Sequence, residues 1–295
     1  MPAWRKPSSC RAGRRAPSPP RSEVGLLALL VILGALQGLT EFLPVSSSAH
    51  LVLGLEYLPG ADQLPPGERE TVVVWLHLGT LVAVLLFYWK RLLAMAGGVV
   101  GRGQDAAGQR RLVLHLALAT LPAVAAALIA SDFVDALFEN STAVAVALLA
   151  TGVLLALSPR IRDRGRSLEQ LGMAQALLIG CVQMLAIMPG ISRSGSTIVA
   201  GLLVGLSMEN ATHFSFLMSI PAILGAVIFD LGDALKLMQQ PHLRVPLLCG
   251  TALSFAIGYA SLGFLLWIAR ERRLAWFAPY CWVVGAAALV ASWSA

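Results

Sequence analysis

Apolar windows long enough to cross a bilayer recur along almost the whole chain, and they restrict the fold more than any other feature. A spanning α-helix needs roughly 20 apolar residues, and hydrocarbon admits only helices or closed barrels because nothing there satisfies a free peptide group. Windows at about 71 to 89, 112 to 131, 141 to 158, 211 to 231, 246 to 269 and 275 to 293 approach or meet that length. Charged side chains make up 13% of the sequence against 57% apolar ones, about half the charge of an average soluble domain. Most windows also lack the 3.6-residue alternation of an amphipathic surface helix. The expected fold class is an all-α polytopic membrane protein with six transmembrane helices.

Two further apolar stretches are interrupted. One runs at about 24 to 43, is broken at Pro44 and continues from about 49 to 58; the other covers about 168 to 188 and 197 to 207. The pieces are too short to give two spans each. Each pair is therefore expected to form a re-entrant hairpin whose tip lies inside protein or a water-filled cavity. Gly34-Ala35-Leu36-Gln37, before Pro44 and a serine run, is matched by Gly180-Cys181-Val182-Gln183 before Pro189 and a second serine run, with one residue of slippage. Three spans follow each copy. This is the pattern of an inverted-topology repeat, with repeat 1 at about 24–158 and repeat 2 at about 168–293, and such repeats bring broken helices together near the bilayer midplane. Residues 23–295 are expected to form one membrane domain.

Outside the two broken stretches, most of the charge lies at the ends and in the loops. Residues 1–22 hold Arg5, Lys6, Arg11, Arg14, Arg15 and Arg21 with no acid, so the remaining 16 basic and 16 acidic residues cancel and the tail carries the net +6. Rich in Pro and Ser, it is expected to be a disordered basic arm. No nucleic-acid partner is expected, since the rest of the chain forms no basic patch. The 90–111, 160–166 and 270–273 loops are basic, whereas the 56–70 and 132–139 loops are acidic. The positive-inside rule puts the basic loops in the cytoplasm and makes the first broken pair enter from outside. Four scattered cysteines without CxxC spacing argue against a disulfide framework or a metal cluster.

The candidate chemistry lies in two polar islands within the broken stretches, where hydrocarbon cannot solvate an ionised group. In the first, Glu41 follows Gln37 by four residues, so both project from one helix face. There a carboxylate and an amide oxygen can hold a hard cation or position water. Ser46, Ser47 and His50 follow; His50 can transfer a proton near neutral pH or attack phosphorus directly. In the second island Arg193 stands between Ser192 and Ser194 at a Pro-Gly turn, with Gly190 and Gly195 allowing close backbone approach and Thr197 adding a hydroxyl. A guanidinium fork, hydroxyls and free N–H groups at a helix start make an anion site, and phosphate is the expected anion. The competing role for both charges is a structural pair, Glu41 with Arg193, that only closes the bundle. His77, His115, His213 and Glu56 lack comparable neighbours in sequence and are expected to be structural.

These residues resemble a known family. Gln37 to His50 and Pro189 to Thr197 look like the two signature motifs of the undecaprenyl-diphosphatase family, the bacitracin-resistance type of lipid carrier phosphatase. The likeness extends to Leu78-Gly79-Thr80 with Tyr88-Trp89-Lys90, to Ala119 through Ala123 and to Phe216 through Ala226. It implies hydrolysis of undecaprenyl diphosphate to undecaprenyl phosphate and inorganic phosphate at the outer side of a bacterial plasma membrane, with a divalent cation, Mg²⁺ or Ca²⁺. By position, Glu41 and Gln37 match an (E/Q)xxxE element that is the implied metal site. Ser47 and His50 match the serine and histidine of the first motif, and Ser192, Arg193 and Thr197 match the second. Gln37 takes the amide option, and Ala49 replaces the usual Gly. Ser47, His50 and an activated water all stay open as nucleophile, and a homodimer as the assembly.

Two other functions compete. The type-2 phosphatidic acid phosphatases would require a histidine at position 199, which is Val199 here. A lipid-carrier flippase or secondary transporter shares inverted repeats and broken helices. A phosphatase needs Glu41, His50 and Arg193 to converge in one outward-facing cavity, whereas a transporter needs access from both sides.

Overall fold

The protein, described by a computed structural model over residues 23–103 and 105–294, is helical almost throughout. The basic arm at 1–22 lies outside the described residues. In chain order the helices are α1 (Glu23–Phe42), α2 (Ser47–Tyr57), α3 (Pro66–Phe87), α4 (Trp89–Val99), α5 (Ala106–Ile129), α6 (Ser131–Phe138) and α7 (Ser141–Leu157). They continue as α8 (Met173–Leu185), α9 (Arg193–Leu203), α10 (Met208–Phe229), α11 (Leu231–Met238), α12 (Pro241–Arg270) and α13 (Ala278–Ser294). Among the described residues, 7 helices are long and apolar enough to cross a membrane. Six coincide with the expected spans: α3, α5, α7, α10, α12 and α13. The seventh is α1, the first arm of the first broken pair.

Both broken pairs turn back. After α1 the chain reverses through Leu43 to Ser46, and α2 returns so far that a Cβ on Gly60 would sit 3.2 Å from the carbonyl oxygen of Gly25, near the start of α1. Leu26, Leu29 and Leu33 of α1 share one apolar cluster with Leu51 and Leu55 of α2. In the second pair, Gln175 at the start of α8 donates to the Val204 carbonyl just past α9 at 3.1 Å. An isolated bridge also joins Arg166 to Leu206. Each hairpin thus begins and ends on one side of the molecule.

The matched glycines of the repeat explain how the hairpins seat. A Cβ on Gly34 would lie 2.2 Å from the Gly250 carbonyl oxygen of α12, and one on Gly180 would lie 2.4 Å from the Ala119 carbonyl oxygen of α5. Each hairpin's first helix thus presses backbone to backbone on a long helix of the other repeat, α1 on α12 and α8 on α5. In lipid, where burying apolar surface gives no drive between helices, such close approach by small residues is a principal source of association.

The loops segregate by charge. Arg272 pairs with Asp163 at 2.9 Å, Arg270 with Glu209 at 2.8 Å, and Arg111 with the Glu169 carbonyl, so the basic connections gather on one face. On the opposite face Glu56 accepts from Ser141, and Glu68 accepts from Gln240 at 3.0 Å.

Several boundaries differ from expectation. The 90–111 loop contains α4 and the first turn of α5, and α6 and α11 occupy other expected connections. These three helices have 11, 8 and 8 residues and are amphipathic, too short and too polar on one face to register as apolar windows. Helix α9 begins at Arg193 rather than near 197 because Ser192 caps it, accepting from the Gly195 N–H at 3.1 Å.

Gly180→Val should drive α8 off α5. In detergent its unfolding midpoint is expected to fall by the equivalent of about 1–3 kcal/mol, whereas Gly225→Val, where a Cβ would meet nothing within 4 Å, should leave the midpoint near wild type. Differential scanning fluorimetry of the two variants checks this.

Candidate active site

The two hairpin tips meet, and the polar islands they carry enclose a cavity of about 220 Å³. Its walls include Thr40, Glu41, Ser46, Ser47, Ser48 and His77 from repeat 1 and Gln183, Ser192 and Arg193 from repeat 2. Ala123 of α5, Ala186, Ile187 and Ile191 between α8 and α9, and Ala222, Ile223 and Ala226 of α10 complete it with alanine and isoleucine side chains.

Glu41 is at the centre, its side chain 4% exposed. One carboxylate oxygen, Oε1, accepts from Arg193 Nη2. The other, Oε2, accepts from Ser47 Oγ at 2.6 Å and from Gln37 Nε2 at 3.0 Å. His77 Nε2 lies 3.5 Å from the same oxygen. The ring's other nitrogen, Nδ1, sits 2.8 Å from the Val73 carbonyl, an acceptor that requires a proton there. Nε2 is therefore the nitrogen presented to Glu41 and the cavity.

Two helix starts point at this spot. Ser46 caps α2, accepting from the Ala49 N–H at 3.4 Å, and Ser192 caps α9. The N–H groups of the first helical residues, Ser47, Ser48, Arg193 and Ser194, precede the first intrahelical bonds and carry the positive end of each helix dipole. Ser46 holds φ at 67°, a left-handed conformation costly for a residue with a side chain and typical of functional turns. Together with Arg193, these groups favour an anion over a cation in the cavity.

Other expected site residues are spent elsewhere. His50 faces away from the cavity: Nδ1 is 2.8 Å from the Ser46 carbonyl and Nε2 is 2.8 Å from the Tyr280 hydroxyl, on which the ring stacks. The carbonyl fixes the proton on Nδ1, so Nε2 accepts from Tyr280. The expected meeting of Glu41, His50 and Arg193 is thus a meeting of Glu41 and Arg193 with His77. Thr197, expected to bind substrate, directs its hydroxyl to the Arg193 carbonyl at 2.8 Å and to Ser215 Oγ at 2.6 Å. Ser194 donates to the Leu43 carbonyl at 3.1 Å and so ties the second tip to the first. Gly190, with φ at 98°, packs against α7, where a Cβ would lie 2.4 Å from the Val144 carbonyl oxygen. Both that turn and that close approach call for glycine here. Gln37 holds Glu41 through its amide nitrogen and is 3.4 Å from Thr80 Oγ1, while its Oε1 has no hydrogen-bond partner among the described residues.

Two polar cavity residues, His77 and Gln183, lie outside both polar islands and had no role on sequence grounds. His77 lay in an apolar span without polar neighbours in sequence; its signal was the ionisable group itself, adjoining Leu78-Gly79-Thr80. Gln183 was visible only as the repeat mate of Gln37.

Fold and site define an integral membrane protein whose two re-entrant hairpins enclose a buried, anion-accepting cavity. The chain belongs to the family described as bacitracin resistance protein BacA, whose profile matches residues 30–287. It is 42% identical over 256 residues to the undecaprenyl-diphosphatase of Syntrophotalea carbinolica, covering 86% of this chain and 95% of that protein. It is 41% identical over 277 residues to the undecaprenyl-diphosphatase of Desulfatibacillum aliphaticivorans, covering 89% and 98%. The protein of that name from Corynebacterium diphtheriae is 39% identical over 260 residues, covering 86% and 90%.

The His50 geometry yields a graded expectation for any turnover the cavity supports. Tyr280→Phe removes one hydrogen bond to the ring and should lower the rate by no more than about tenfold. His50→Ala also frees the strained Ser46 carbonyl and should lower it further, with kcat and not KM carrying the loss. Steady-state kinetics of both variants tests the order.

Proposed function

We propose that this chain hydrolyses undecaprenyl diphosphate to undecaprenyl phosphate and inorganic phosphate, recycling the lipid carrier for peptidoglycan synthesis and thereby conferring bacitracin resistance. The observation that carries this reading is the joining of Glu41, Ser47 and Arg193 in one cavity at two converging helix starts. The names of the relatives support the same substrate. Basic and acidic faces support a bacterial plasma membrane with the cavity opening outward, because its apolar wall draws on the ends of α5 and α10 nearest the acidic connections.

In this mechanism Arg193, with five N–H donors of which Nη2 meets Glu41, holds the terminal phosphoryl group. The first-turn N–H groups of α2 and α9 take further phosphoryl oxygens. Glu41 accepts the proton of the nucleophile, which is Ser47 itself or a water held in its place. Attack at the terminal phosphorus breaks its bond to the bridging oxygen, and undecaprenyl phosphate departs along the apolar wall toward lipid. Attack by water gives inorganic phosphate directly, whereas attack by Ser47 leaves a phosphoserine that a second water, giving its proton to Glu41, cleaves to free Ser47 and inorganic phosphate. His77 Nε2 is placed to receive a proton from Glu41 or to deliver one to the leaving oxygen.

A divalent cation fits this donor set as a shared ligand. Among the described lining residues Glu41 is the one carboxylate, and Gln37, whose amide nitrogen now meets Glu41, would add its unpartnered Oε1 as a ligand by turning its amide over. One carboxylate plus substrate phosphate is a common way to hold Mg²⁺. Bound there, the cation would neutralise charge developing on the phosphoryl oxygens. A flippase is not favoured, since the relatives are named as diphosphatases.

Purified protein in detergent should release phosphate from undecaprenyl diphosphate, and Arg193→Ala should reduce release at least about 100-fold. Removing Arg193 leaves Glu41 buried without its cation, a cost of about 3–5 kcal/mol, so Arg193→Lys is the folding control and is expected to recover only part of the rate. Turnover by Arg193→Ala at the wild-type rate would remove the proposal. Separately, a chelator should abolish release and added Mg²⁺ should restore it; full activity in chelator would eliminate the shared-cation role.

A further inference from the structure

Gln183 is a buried amide that none of the described residues satisfies. It is 2% exposed and lines the cavity, and neither its Oε1 nor its Nε2 has a hydrogen-bond partner among the described residues. Both halves of a side-chain amide require partners when removed from water. An amide with neither end paired, on a residue that lines the cavity, is therefore placed for a ligand that both accepts and donates.

The repeat shows how this opening arises. Gln183 stands 146 residues after Gln37 (183 − 37), the spacing that also relates Gly180 to Gly34 (180 − 34) and Ser192 to Ser46 (192 − 46). Gln37 is engaged by Glu41, four residues on, and by Thr80 of α3. Four residues after Gln183 is Ile187. Thr80 is the fifteenth residue of 22-residue α3 (80 − 66 + 1), and the fifteenth of 22-residue α10 (222 − 208 + 1) is Ala222. Both polar partners are thus replaced by apolar side chains, and both replacements line the cavity.

We propose that Gln183 is a substrate-binding residue for the diphosphate: Nε2 donates to a non-bridging phosphoryl oxygen of the terminal phosphate, and Oε1 accepts from the water bound beside it. The assignment rests on the hydrolytic function proposed above. It concerns affinity, since Gln183 lines the same cavity as Glu41 and Arg193 and its amide holds no proton to transfer.

The test uses the full chain in detergent, with undecaprenyl diphosphate as substrate and methylenediphosphonate as a diphosphate that cannot be hydrolysed. Gln183→Met preserves length and removes both hydrogen bonds. It should raise KM and the inhibition constant for methylenediphosphonate about tenfold. The ligand-free unfolding midpoint should stay at or above wild type, because two unsatisfied buried atoms are gone. A structural glutamine would instead lower the midpoint and leave KM unchanged, which would overturn the proposal. If Gln183→Met fails to fold, the isosteric Gln183→Glu decides: binding weakened about tenfold by charge repulsion supports the proposal, and unchanged binding ends it. Wild-type protein that binds methylenediphosphonate and releases phosphate, beside variants with unaltered constants, refutes the Gln183 contact alone. Wild-type protein that does neither refutes the hydrolytic function and the contact together.

Discussion

The pairing of Glu41 with Arg193 is the interaction on which the arrangement depends. The two residues lie 152 positions apart, one on the last turn of α1 and the other opening α9. Neither ion could remain charged alone among apolar helices. Bringing them together requires both hairpins to enter to the same depth. A buried ion pair is nonetheless a poor source of stability, because desolvation offsets much of the attraction and apolar replacements often do as well. The pair also borders open space, and Ser47, Gln37 and His77 gather on the same carboxylate. That concentration of polar contacts is intelligible if Arg193 is shared between Glu41 and a phosphoryl group.

The two repeats solve one packing problem alike and divide the chemistry between them. Gly34 and Gly180 press on opposite long helices, and Ser46 and Ser192 cap the returning arms. At the reactive positions the copies part. At the same 146-residue spacing, Glu41 corresponds to Ile187 (187 − 41) and Ser47 to Arg193 (193 − 47). One copy supplies the carboxylate and hydroxyl, the other the guanidinium. Symmetry of the backbone brings two helix starts to one point; asymmetry of the side chains makes that point reactive instead of self-neutralising.

Much of this was legible in the sequence because lipid removes options. Apolar windows of spanning length had to be helices, windows broken by Pro44 and Pro189 had to be hairpins, and charges placed at the breaks had to find one another. Glu41, Ser47 and Arg193 follow from that reasoning. What escaped it depended on which side of a short helix faces the cavity. His50 lies one turn beyond Ser47, yet it faces Tyr280, and Thr197 spends its hydroxyl on its own helix and Ser215. His77 reaches the site from the middle of α3, a helix whose sequence near that point carries no serine or proline to draw notice. The amphipathic helices α4, α6 and α11 were hidden for a related reason: they lie between spans and lack an apolar window.

Why the cavity exists on only one side of the repeat follows from a single pair of equivalent positions. Gly79, fourteenth in α3 (79 − 66 + 1), lets that helix close on α12, where an added Cβ would stand 2.4 Å from the Thr251 carbonyl oxygen. The fourteenth residue of α10 is Pro221 (221 − 208 + 1). Its ring cannot accept such an approach, and it has no N–H to give the carbonyl one turn before it. Accordingly α3 packs tightly on α12 while α10 touches α5 far less. Ala123, Ala222 and Ala226 face the gap that remains. A glycine in one copy thus seals a helix seam, and a proline in the other holds the equivalent seam open beside Glu41 and Arg193, where a phosphate on an apolar tail can enter without unpacking the bundle.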